Sequence, residues 1–107
     1  KEPLADVRGI VFFGFPLHPV QNPGIERSDH LKEAGVPLLF LQGTRDKLAQ
    51  LDLLEPVCQD LAQGATLHLV EGADHGFHVL KRSGRTDDDV QDELADTTRT
   101  WIDSLAP

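Results

Sequence analysis

Two short stretches of this sequence carry side chains suited to moving a proton. Leu39-Phe40-Leu41-Gln42-Gly43-Thr44-Arg45-Asp46 runs from an apolar segment into a turn and ends on an acid. Leu67-His68-Leu69-Val70-Glu71-Gly72-Ala73-Asp74-His75-Gly76-Phe77 does the same and reaches a histidine. A carboxylate beside an imidazole fixes the ring tautomer and stabilises the imidazolium, and the imidazole can then take the proton of a serine hydroxyl, a weak nucleophile without that help. Acid first and histidine second is one known order for the last two members of a Ser…Asp…His triad. The first member is missing, because no G-x-S-x-G occurs in the chain. Asp46 and His75 are therefore the candidate acid and base, with the nucleophile absent. Each alone has an ordinary reading, since Asp is a frequent turn former and a loop His is often only solvated. Their shared setting, just past a strand-like run and flanked by Gly, favours a joint role.

Three βα-like units must position these residues. Residues 7–13, from Val7 to Phe13, are apolar, β-branched and aromatic, which predicts a strand buried on both faces. Pro16, Pro19 and Pro23 make residues 14–24 an extended loop. A short helix is expected over 26–34, closed by Gly35. Residues 37–42 form the second and most uniformly apolar strand, expected at the centre. A helix over 53–63 follows, with Asp52 as N-cap and Glu55 completing a capping box. Pro56 should lie near its first turn, Leu53, Leu54, Val57 and Leu61 should form its buried stripe, and Gly64 should end it. Residues 66–70 form the third strand, with Leu67 and Leu69 on one face and His68 on the other. The last helix spans 87–105, capped by Thr86, with Val90, Leu94, Thr97, Trp101 and Leu105 on one side. The resulting fold class is α/β: a parallel sheet with helices on both faces, in three layers. Ligands bind such sheets at the carboxyl ends of the strands, where the loops with Asp46 and His75 leave side by side.

Phe13-Gly14-Phe15-Pro16-Leu17-His18-Pro19, then His30-Leu31-Lys32-Glu33 with Val36-Pro37, then Leu41-Gln42-Gly43-Thr44-Arg45-Asp46, then Glu71-Gly72-Ala73-Asp74-His75 resemble the C-terminal half of the dienelactone-hydrolase-like α/β-hydrolases. The branch most similar holds the testis-expressed hydrolase-like proteins and their bacterial relatives. The resemblance covers nearly the whole chain. It implies that the three strands are the last three of an α/β-hydrolase sheet, that Asp46 is the triad acid and His75 the triad base, and that the nucleophile elbow and oxyanion-hole loop belong to a preceding half. It implies hydrolysis of an ester, thioester or similar acyl bond in a small molecule, with no cofactor and no metal. His18 and Phe77 are candidates to line the acyl pocket, although a structural role in its loop is the simpler account of His18. A fold shared by many chemistries does not supply the substrate. The rival reading is a non-catalytic hydrolase-like interaction module.

The chain has 107 residues, begins at Lys1 and contains no Met, so the expectation is one portion of a single domain, cut at its start. A formal net charge of −8 makes nucleic acid and anionic membranes poor partners. Asp87, Asp88, Asp89, Asp92, Glu93 and Asp96 gather near the start of the last helix, where its dipole favours acids. The single cysteine, Cys58, fits a reducing compartment such as the cytoplasm and reads as a small buried hydrophobe. His75 and His78 with Asp74 lack an evident third convergent metal ligand. His30 and His68 read as surface residues, and Trp101 as a helix anchor. Ser28, Ser83 and Ser104 lack the setting of a nucleophile. No Gly-rich phosphate loop is present. If the strand that should flank residues 7–13 is missing, that apolar edge is expected to self-associate.

Overall fold

The computed structural model describes residues 8–18, 24 and 30–105. In chain order these form β1 (Ile10–Phe13), a 3-10 turn (Leu31–Ala34), β2 (Leu38–Gly43), α1 (Leu51–Gln59), β3 (Ala65–Val70), a second 3-10 turn (Lys81–Ser83) and α2 (Asp87–Ser104). The three strands make one parallel sheet in the order β1-β2-β3. The middle run is central, as its uniform apolarity requires.

All six residues of β2 are buried. Its side chains alternate between two cores. Leu38 and Phe40 face α1 and pack with Leu17, Leu54, Cys58 and Leu61. Leu39 and Leu41 face α2 and pack with Val70, Phe77, Val90 and Leu94. Phe12 stacks on Phe40 with ring centres 5.0 Å apart, and Phe15 meets Phe12 edge-on at 5.2 Å. Each large side chain buried here contributes roughly 1.5–3 kcal/mol. Leu67 packs with the α1-side core, while His68 reaches α2 on the opposite face.

Several elements differ from expectation. Pairing starts at Ile10↔Leu38. Pro37 accepts a hydrogen bond from Ile10 N–H but has no N–H with which to extend the ladder. Arg8 and Gly9 thus stay outside the strand, and Val7 lies outside the described residues. Of the helix expected over 26–34, only the 3-10 turn is seen; 26–29 lie outside the described residues. Gly35 does close that turn in the left-handed region, at φ 68°.

The larger correction concerns α1. It starts at Leu51 with Gln50 as N-cap, and no side chain caps it. Asp52 lies inside the first turn, so the expected capping box does not form. A tertiary bond sets the start: Gln50 N–H donates to His18 Nε2 at 3.0 Å while Gln50 O accepts from Leu53 and Leu54. Pro56 consequently falls in the helix body, where a normal backbone donor is lost, and the helix ends at Gln59. Leu61 is still buried, but from the connecting turn.

In α2 Thr86 is the N-cap, and its reciprocal partner is Asp89, which completes a capping box. Val90 and Leu94 are buried and Thr97, Trp101 and Leu105 half-buried. Trp101 closes over Gly9, where a Cβ would stand 2.6 Å from its Cη2. No helix among the described residues is long and apolar enough to cross a membrane.

Gly43 ends β2 under the backbone of the segment that follows β3. A Cβ there would run into the Ala73 carbonyl oxygen and lie 2.7 Å from Asp74 O. These are backbone atoms and cannot swing away. Gly43→Ala is expected to destabilise the protein by about 3 kcal/mol. Urea unfolding measures it, and a midpoint like that of the wild type would refute this account of the close approach.

Candidate active site

The site is assembled where the chain leaves β2 and β3. After Gly43 a tight turn returns Asp46 N–H to Gly43 O at 3.1 Å. After β3 the chain turns at Glu71 and Gly72, the latter at φ 79°. The two turns are tied together three times. Arg45 N–H donates to Ala73 O at 2.8 Å, Gly72 N–H to Thr44 Oγ1 at 2.8 Å, and Arg45 Nη1 to Gly72 O at 3.2 Å. Thr44 and Arg45, unremarkable in the sequence, thus set the spacing of the two loops.

Asp46 is 5 % exposed. Its Oδ1 accepts from Leu48 N–H at 2.8 Å, and its Oδ2 from Gln42 Nε2 at 3.3 Å. His75 Nδ1 lies 2.8 Å from the same Oδ2. Because two N–H donors already point at this carboxylate, it acts as acceptor, and the proton between it and the ring sits on Nδ1. The neutral ring then carries its lone pair on Nε2. The His75 side chain is 40 % exposed, so one edge is anchored in the protein and the rest is open to a reactant.

The His75 turn is built to hold that ring. Phe77 N–H donates to Asp74 O, and Asp74 N–H to His78 O, both at 3.0 Å. Asp74 Oδ1 accepts from Gly76 N–H at 3.1 Å and His78 N–H at 2.9 Å. Phe77 has φ 64°, in the left-handed region, at a cost of about 1–2 kcal/mol. Its ring is buried among Leu39, Leu41 and Val70, which offsets that strain. From the β1 side, Gly14 (φ 78°) presses on the imidazole: a Cβ there would lie 3.3 Å from His75 Cε1.

The other singled-out residues divide clearly. His18 is 1 % exposed and faces inward, with its backbone N–H donating to Leu48 O and its ring Nε2 accepting from Gln50 N–H. It braces the acid loop. Phe77 is in the α2-side core, two residues from His75. His30 is exposed, as expected. His68 is half-buried and not a plain surface residue: its Nε2 meets Glu93 Oε2 at 2.6 Å, and Arg85 binds Glu93 Oε1 at 2.6 Å. Burial pulls the Glu93 carboxyl upward, yet the hydrogen bonds from His68 and Arg85 outweigh it and leave the group below its ordinary value. Cys58 is buried, and that burial, with Glu55 adding, pushes its thiol up to about 11. Ser83 Oγ accepts from Arg85 N–H and Ser104 Oγ donates to Trp101 O, while Ser28 lies outside the described residues. Among the described residues no three His, Cys, Asp or Glu side chains converge as a metal ion requires.

Sequence reasoning missed Gln42. The available signal was a lone amide closing an otherwise apolar strand. It also read Asp87 only as a dipole-favoured acid. Asp87 accepts from His78 Nδ1 at 2.9 Å and from Val79 N–H at 3.1 Å, clasping the His75 loop to the start of α2. That hydrogen bond raises the His78 pKa above its ordinary 6.5 and lowers that of Asp87. A raised histidine adds stability below its unfolded value and loses it as pH rises through the folded one. A lowered carboxyl adds stability above its unfolded value and loses it as pH falls through the folded one. The clasp is therefore strongest between the two. An NMR titration should place the His78 midpoint above 6.5. Asp87→Asn should bring it down, and an unchanged midpoint in that variant would show that the pair does not form.

Residues 2–103 match the family described as alpha/beta hydrolase domain. No solved structure matches the chain. The parallel order β1-β2-β3, with helices on both faces, is compatible with this match. The chain belongs to the alpha/beta hydrolase domain family.

Proposed function

We propose that this chain is the C-terminal portion of a serine-type hydrolase of the dienelactone-hydrolase-like, testis-expressed branch, acting on an ester or related acyl bond of a small molecule in the cytoplasm. The observation that carries the reading is the 2.8 Å contact of His75 Nδ1 with a buried, doubly donated Asp46 carboxylate. In this role His75 Nε2 takes the proton of a serine hydroxyl supplied from outside these residues. The serine oxygen bonds to the acyl carbon, and Asp46 stabilises the resulting imidazolium. As the carbon–leaving-group bond breaks, the imidazolium gives its proton to the departing oxygen or sulfur. Water repeats the sequence and frees the acid. No cofactor takes part in these steps.

The test is hydrolysis of an activated ester by the protein extended upstream of Lys1. His75→Ala is expected to lower kcat/KM by about 10³-fold and Asp46→Asn by at least about 10²-fold. The 107-residue chain alone should be inert. Full activity in both variants would refute the assignment. An inert extended protein with no serine at the elbow would favour the interaction-module reading.

The same reading bears on association. Among the described residues β1 is paired on one side only, and Phe13 at its end is 56 % exposed. Its open row of backbone donors and acceptors is complementary to itself, so the 107-residue chain is expected to pair with a second copy through this edge. Sedimentation across a wide concentration range should show dimers or larger species. A monomer throughout would refute the pairing.

A further inference from the structure

We propose that Gln42 is a positioning residue for the Asp46–His75 pair, a role that rests on the acid–base reading above. Gln42 is wholly buried at the end of β2. A buried amide is costly unless both of its ends are bonded. Here Oε1 accepts from Phe15 N–H at 2.6 Å, and Nε2 donates to Asp46 Oδ2 at 3.3 Å. The amide orientation is settled by its surroundings, because a backbone N–H on one side and a carboxylate on the other admit only this arrangement.

The geometry gives the amide a specific task. Leu48 N–H fixes Asp46 Oδ1. One anchored oxygen still leaves the carboxylate free to rotate about that anchor. Gln42 binds the other oxygen, the one that faces His75 Nδ1, and the two donors together define the carboxylate plane. Gln42 is in turn held by Phe15, whose neighbour Gly14 lies against the His75 ring. The loop after β1 thus bears on the base directly through Gly14 and on the acid through Gln42. His18, from the same loop, ties it to Leu48 and Gln50. An apolar side chain of equal size would fill the space but would leave the Phe15 N–H unmet and Asp46 Oδ2 without its second donor.

The test reads the hydrogen bonds themselves as well as turnover. In the wild-type protein the Gln42 side-chain amide protons should shift with pH in step with the His75 ring, because both groups share one carboxylate oxygen, and Asp46→Asn should abolish the link. Gln42→Leu should move the resonance of the His75 Nδ1 proton. Gln42→Glu should retain that resonance only at pH values where the new carboxyl keeps its own proton and can donate it. In the extended, active protein Gln42→Leu should lower kcat by about 10- to 100-fold with KM nearly unchanged. Gln42 amide resonances indifferent to the His75 titration would overturn the proposal, as would an unmoved Nδ1 proton in Gln42→Leu. If that variant does not fold, the wild-type titration decides. If hydrolysis survives without His75, the acid–base reading fails while the resonances still report whether Gln42 holds Asp46.

Discussion

A strand covered on both faces has no latitude in register, because a shift of one residue would exchange its two sets of side chains between two different cores. β2 is in that position. Leu38 and Phe40 are committed to the α1 side, and Leu39 and Leu41 to the α2 side. Its end point is fixed as a result, and with it the places of Gln42, Gly43 and the turn to Asp46. β1 and β3 take their heights from β2 through the parallel ladders. The loops that leave their carboxyl ends arrive at one level, which is how an acid and a histidine from separate units come within hydrogen-bond distance.

Around that frame the polar side chains act as ties between segments. Arg45, Thr44, Asp74, Asp87 and His18 each bond to a backbone group across a loop or in another segment, and Glu93 bonds the His68 side chain. Part of the chain's negative charge is placed this way. Asp89 closes the helix cap, Asp87 holds the turn beyond His75, and Glu93 joins β3 to α2 through His68. The exposed pairs among these add little stability individually. Their effect is to restrict where the His75 loop can go, while the apolar cores supply most of the folding free energy.

The sheet, its order and the Asp46–His75 contact were legible because they depend on local pattern: apolar runs of strand length, acid and histidine after them, and glycines at the turns. Gly35 and Thr86 ended and began their elements as their residue types direct. What was not legible arose from contacts between distant segments. The start of α1 is governed by His18, far away in sequence, which outweighs the local capping signal of Asp52 and Glu55. The pairing of His68 with Glu93 depends on how α2 lies across β3. Gln42 looked like the polar end of a strand, since nothing local announces that a backbone N–H from the β1 loop will meet its other side.

The packing of Trp101 over Gly9 joins nearly opposite ends of the described chain. These residues are far apart in sequence, so the contact forms only once α2 has been made. Contacts of such long sequence separation form late and slow the overall search. Until then the face of the sheet that carries Val11, Leu39 and Leu41 stays uncovered, and apolar surface of this kind is open to wrong partners while folding is incomplete.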